Sequence, residues 1–98
     1  MPSSLFRYQF VPSVPAADVE VAIVLALLAA EFLHGETLVR LSVSHAFDAE
    51  SRTCVIDASS GVGRDFNRLF VGFITRECGP GSFRVTPVAA SPAPVGAV

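Results

Sequence analysis

Along this chain the spacing of apolar residues alternates between two periods, in the order two, 3.6, two, two, 3.6, two. A period of two marks strands and one of 3.6 marks helices, so the pattern predicts the element order βαββαβ. Phe6, Tyr8 and Phe10 alternate with Arg7 and Gln9, which places a strand over residues 5–11. Pro12, Ser13 and Pro15 break it, and Pro15 suits the start of a helix. That helix is expected over residues 16–34. Asp18 and Glu20 in its first turns and His34 at its end complement the helix dipole, and Gly35 is a stop signal.

A second strand is expected over residues 38–47, with Val39, Leu41, Val43, His45 and Phe47 on one side and Arg40, Ser42 and Ser44 on the other. The polar stretch Asp48-Ala49-Glu50-Ser51 has hairpin length, and the chain returns over residues 52–58. Closed there, the hairpin sets Val43 opposite Ile56, Leu41 opposite Ala58, His45 opposite Cys54 and Ser42 opposite Asp57. A second helix is expected over residues 62–78, burying Val62, Phe66, Leu69, Phe70 and Phe73, with Arg64, Arg68 and Thr75 outside. Gly79-Pro80-Gly81 ends it, and residues 82–88 read as a last strand with Phe83 and Val85 inward. Residues 89–98 contain only Ala, Pro, Ser, Gly and Val and read as a flexible tail.

This order of elements resembles the split βαβ, ferredoxin-like arrangement, a two-layer α+β sandwich. The resemblance implies one domain over residues 1–88. Its four-stranded antiparallel sheet would run 4-1-3-2, with two helices on one face. It rests on element order alone, and this architecture hosts many unrelated activities. Acylphosphate hydrolases of this fold carry glycine and arginine in their first loop. Here Pro12-Ser13-Val14-Pro15 stands in that place, which removes the nearest enzyme analogy.

Composition narrows the function classes. The 98 residues are 51% hydrophobic and only 16% charged, an imbalance that points to apolar surface meeting something other than water. Net charge is −2, whereas nucleic-acid domains carry a basic excess, so nucleic acid is not the expected partner. All seven basic residues are arginine, as a GC-rich genome tends to encode, so neither a Schiff-base lysine nor a phosphate-loop lysine is available. Cys54 and Cys78 form no CxxC pair. Residues 1–10 lack the pattern of a secretory leader, and the longest apolar run, residues 21–30 between Glu20 and Glu31, is too short to span a bilayer. The expected location is the cytoplasm, with no membrane contact.

Four sets of residues offer themselves as sites. The first helix is apolar almost all round. With Val21, Val24, Leu25, Leu28 and Phe32 expected inward, its outer stripe becomes Glu20, Ile23, Leu27, Glu31 and His34, flanked by alanines smooth enough for another backbone to approach. Ser59, Ser60, Gly61, Gly63 and Arg64 join a strand to a helix N-terminus, where an anion can be held, although a serine cap with turn glycines is the simpler explanation. Arg7, Gln9, Arg84, Thr86, Arg40, Ser42 and Asp57 are expected on the open sheet face as a solvated set with internal pairs such as Arg40 with Asp57. His45 and Cys54 are too few for a metal site and read as packing, and no catalytic set of side chains can be drawn. The expected function is a non-enzymatic module, without cofactor or metal, that self-associates as a homodimer through the first helix or the edge strand at residues 38–47. The alternative is a binding domain for an anionic, phosphate-bearing small molecule at the Ser59–Arg64 loop or the arginine face.

Overall fold

A computed structural model describes residues 4–88. The tail expected at residues 89–98 lies outside the described residues. The elements are β1 (Leu5–Phe10), α1 (Ala16–His34), α2 (Glu36–Ser42), β2 (Ser44–Asp48), β3 (Thr53–Asp57), α3 (Gly61–Cys78) and β4 (Phe83–Val88). The fold is α+β, and its four strands form one antiparallel sheet in the order β2-β3-β1-β4, which counted from the β4 edge runs 4-1-3-2. Tyr8, Phe10, Cys54 and Ile56 turn one face of the sheet toward α1 and α3, where they share a core with Val19, Ala26, Phe66, Phe70 and Ile74. Edge-to-face contacts of Tyr8 and Phe10 with Phe70 bind the sheet to α3, and those of Tyr8 with Phe83 and of Phe10 with Phe47 link strands within it.

There are three helices rather than two. The strand expected over residues 38–47 is corrected to a helix over its first half: α2 occupies Glu36–Ser42 and the strand begins only at Ser44. The row Val39, Leu41, Val43 alternates, but Val39 and Val43 are also four residues apart, which is helical spacing. Val39 is buried, Val43 half-buried, and Leu41 faces water. Gly35, at φ 87°, lets the chain leave α1, and Arg40 donates to Glu36 one turn back at 2.6 Å. Arg40 therefore pairs within α2 and not with Asp57, and neither Arg40 nor Ser42 lies on the sheet.

The hairpin closes two residues away from the expected register. Ser44 lies opposite Asp57, His45 opposite Ile56 and Phe47 opposite Cys54. The turn takes in Arg52, which has φ 56°, so the returning strand starts at Thr53. Asp48 Oδ1 accepts the Glu50 backbone N–H at 3.0 Å and tightens the bend. A slip of two residues changes partners and leaves every side chain on its original face.

The second long helix follows its sequence pattern in part: Phe66 and Phe70 are buried as expected, whereas Val62, Leu69 and Phe73 are half-buried. Ser60 caps it, its Oγ accepting the Gly63 N–H at 2.9 Å, and Gly79 at φ 94° ends it. Its buried line is Gly63, Phe66, Phe70 and Ile74.

Candidate interaction surface

The first helix is rotated by about half a turn from the expected orientation. Its buried line is Val19, Ala22, Ile23, Ala26 and Ala30. Ala22, Ala26 and Ala30 recur every four residues and form a flat strip on one side of the helix. The helix facing them, α3, supplies the bulk: Phe66, Phe70 and Ile74 are wholly buried. Small residues on one helix and large ones on the other fill the space between two axes at ordinary packing density. The backbone that approaches the alanines is that of α3 in the same chain.

The expected outer stripe is corrected accordingly. Ile23 is 7% exposed and part of the core, and Leu27 is half-buried against it. His34 is held across the helix pair by Asp65 of α3, Nε2 to Oδ2 at 2.8 Å. Glu20 is exposed and Glu31 half-exposed at the margin of the buried face. The physical reason is that a helix apolar on every side has no periodicity to orient it. Placing the largest residues inward ignores that α3 already brings the large ones.

The rotation leaves Val21, Val24, Leu25, Leu28 and Phe32 outside, with Phe32 89% and Leu28 47% exposed. With residues 100° apart around the axis, these five fall within an arc of about 100° that contains no polar side chain. At about 150–200 Å² per side chain, they present on the order of 500 Å² of apolar surface, near the upper end for a monomeric protein. Along the helix Val21, Leu25, Leu28 and Phe32 are spaced four, three and four, the alternation that keeps a seam facing a second helix. Beside the seam a groove of about 320 Å³ runs between α1 and α3, lined by Asp18, Val21, Ala22 and Leu25 of α1 and Phe73, Arg76 and Glu77 of α3. The residues of this face are in plain sight in the sequence. The signal that orients them is the size complementarity between α1 and α3, which no single helix reveals.

The other sequence-derived sets sit as follows. In the Ser59–Arg64 loop, the Ser59 N–H donates to Asp57 Oδ1 and the Gly63 N–H to Ser60 Oγ. Gly63 is pressed against the strand end: a Cβ there would lie 2.6 Å from Asp57 O. Gly61 and Arg64 are exposed. These amides are engaged inside the chain, as a cap and a close approach require. Arg7, Gln9, Arg84 and Thr86 do lie on the face of the sheet away from the helices, around an open depression.

His45 and Cys54 are not opposite one another. His45 packs its ring on Phe66 at 5.5 Å, and burial lowers its pKa. Burial pushes the Cys54 thiol up to about 12. Tyr8 is likewise pushed up to about 12 by burial, although its O–H donates to Asn67 Oδ1. Each shift holds its group neutral at pH 7, the reverse of what activates a nucleophile. Among the described residues no three His, Cys, Asp or Glu side chains are grouped as metal ligands, and no helix is long and apolar enough to cross a membrane.

Compared with known proteins, the chain matches no family model, no curated protein and no solved structure.

Proposed function

We propose that this chain is a non-enzymatic assembly module that pairs with a second copy of itself through the outer face of α1. The observation that carries the reading is the exposure of Val21, Val24, Leu25, Leu28 and Phe32 together on one polar-free arc. Two such faces would remove about 1,000 Å² from water, which is at the small end of specific interfaces and suits a dimer of micromolar affinity. The flanks of the arc are acidic, with Asp18, Glu20 and Glu31, and an anionic bilayer would repel them. A second copy is favoured over an unrelated protein because the spacing of the seam is the same read from either end. We read the fold as the ferredoxin-like one with α2 inserted before the second strand. That reading positions α1 and implies no activity.

Light scattering across a concentration series of the full chain tests the proposal. The expected result is a monomer–dimer equilibrium in the micromolar range that Leu28→Glu abolishes with helix content unchanged. A chain that stays monomeric at high micromolar concentration overturns it.

A second reading keeps one specific observation. Arg64 and Arg68 border a cavity of about 280 Å³ with Ser4, Phe6, Ala58 and Asn67, where two guanidinium groups would suit a phosphate-bearing molecule. A thermal-shift screen with nucleotides and inorganic phosphate tests it. A shift lost in Arg64→Ala supports it, and no shift with any of them ends it.

A further inference from the structure

Resting on the self-association read above, we infer that the groove between α1 and α3 is the seat for Phe32 of the second copy. Phe32 is the most exposed large apolar side chain among the described residues, at 89%, and none of those residues covers it. The groove is the matching concavity. Its volume of about 320 Å³ exceeds the roughly 150 Å³ in which an apolar protein cavity holds a benzene ring.

Symmetry brings the two together. In an antiparallel pair of α1 helices related by a two-fold axis, facing residues have numbers with a constant sum. A sum of 53 sets Leu25 against Leu28 and Val21 against Phe32, and repeats both contacts by symmetry. At 1.5 Å per residue, Phe32 and Val21 then lie about 8 Å on either side of the axis. Val21 lines the groove together with Ala22 and Leu25 of α1 and Phe73 of α3. A phenylalanine standing on Val21 therefore reaches that concavity, large on small, with Phe73 on its α3 wall. Arg76 also lines the groove and supplies a cation for the incoming ring, a contact that strengthens as water leaves. A sum of 57 would set Phe32 against Leu25 and a sum of 60 against Leu28; 53 is the sum that sets it against the smaller Val21 while pairing Leu25 with Leu28.

Charge-swapped variants test the contact in the full chain by light scattering and native mass measurement. Phe32→Ala removes two seats per dimer. A loss of about 30-fold per seat, hence roughly a thousandfold in Kd, is expected for a central aromatic anchor. Val21→Lys and Phe32→Glu are each expected to be monomeric alone, because an unpaired charge then stands against an apolar side chain in both seats. Mixed in equal amounts, they are expected to form a heterodimer. The introduced lysine of one chain then faces the introduced glutamate of the other, while the second seat keeps Val21 and Phe32. Circular dichroism keeps folding separate from pairing, because both positions are exposed.

A wild type that dimerises while Phe32→Ala pairs as tightly overturns the seat and leaves the self-association standing. The seat is equally overturned if the two charged variants remain monomers when mixed. A monomeric wild type fails the underlying reading instead.

Discussion

Replacing Ala26 by leucine should damage this protein more than replacing Leu25 or Leu28 by alanine, which inverts the order that residue size alone suggests. Ala26 is wholly buried between α1 and α3. Ala26→Leu inserts three carbons where Phe66 and Phe70 already fill the space, and overpacking of a tight core costs about 1–3 kcal/mol. The upper end applies because the strip of alanines lies flat against α3. Leu25 and Leu28, at 42% and 47% exposure, keep only part of their area from water. Truncating a fully buried leucine costs about 2–5 kcal/mol, so these two should cost about 1 kcal/mol or less, offset slightly by the better helix propensity of alanine. For a chain of this size 1 kcal/mol moves the melting temperature by about 4–8 °C. Ala26→Leu should therefore lower it by roughly 10–20 °C and each leucine truncation by a few degrees. Urea unfolding followed by circular dichroism at submicromolar protein keeps association out of the comparison. Should Leu25→Ala and Leu28→Ala each cost about 3 kcal/mol while Ala26→Leu is neutral, α1 is turned the other way and Phe32 does not stand on an open face.

Two further outcomes are expected. Gly63→Ala should destabilise by about 1–3 kcal/mol, since its Cβ would meet Asp57 O at 2.6 Å, whereas Gly72→Ala, exposed within α3 with open space around it, should stabilise by about 0.5–1 kcal/mol; thermal melts of the pair distinguish steric closeness from helix propensity. Cys54, raised from 9.0 to about 12 in the folded chain, favours the folded state fully below pH 9, and that contribution is lost as pH rises from about 9 toward 12, so urea midpoints should fall across that window and fall less in Cys54→Ala; a midpoint flat in pH refutes the assignment.

The parts of this fold legible in the sequence are those where local chemistry and tertiary packing agree. Tyr8 and Phe10 on β1, the Phe66–Phe70 pair and the Gly79 stop each have one physical reading, and the structure uses it. Residues 38–43 mislead because Val39 and Val43 satisfy a strand and a helix at once. The deciding contacts, Glu36 with Arg40 and Val39 against the core, depend on where α1 ends. The His34–Asp65 pair is out of reach because its partners are 31 positions apart and neither is unusual in its own helix.

The candidate surface is legible in kind and illegible in place, and the reason is general to helices apolar on all sides. Such a helix must leave large side chains uncovered whichever way it turns, so the presence of an apolar outer face follows from residues 21–30 alone. Which side is outermost follows from the partner helix. Since α3 offers Phe66, Phe70 and Ile74, the free energy of close packing is lowest with Ala22, Ala26 and Ala30 toward it, and Leu25, Leu28 and Phe32 are displaced outward. A residue as large as Phe32 held 89% exposed gains nothing for the isolated fold, since each buried apolar side chain is worth about 1.5–3 kcal/mol and this one contributes almost none of it. A stable monomer would do as well with a polar residue there. The position makes physical sense when a second surface covers it, which is the premise of the proposed pairing, and an α1 face whose spacing reads alike in both directions is compatible with a second copy.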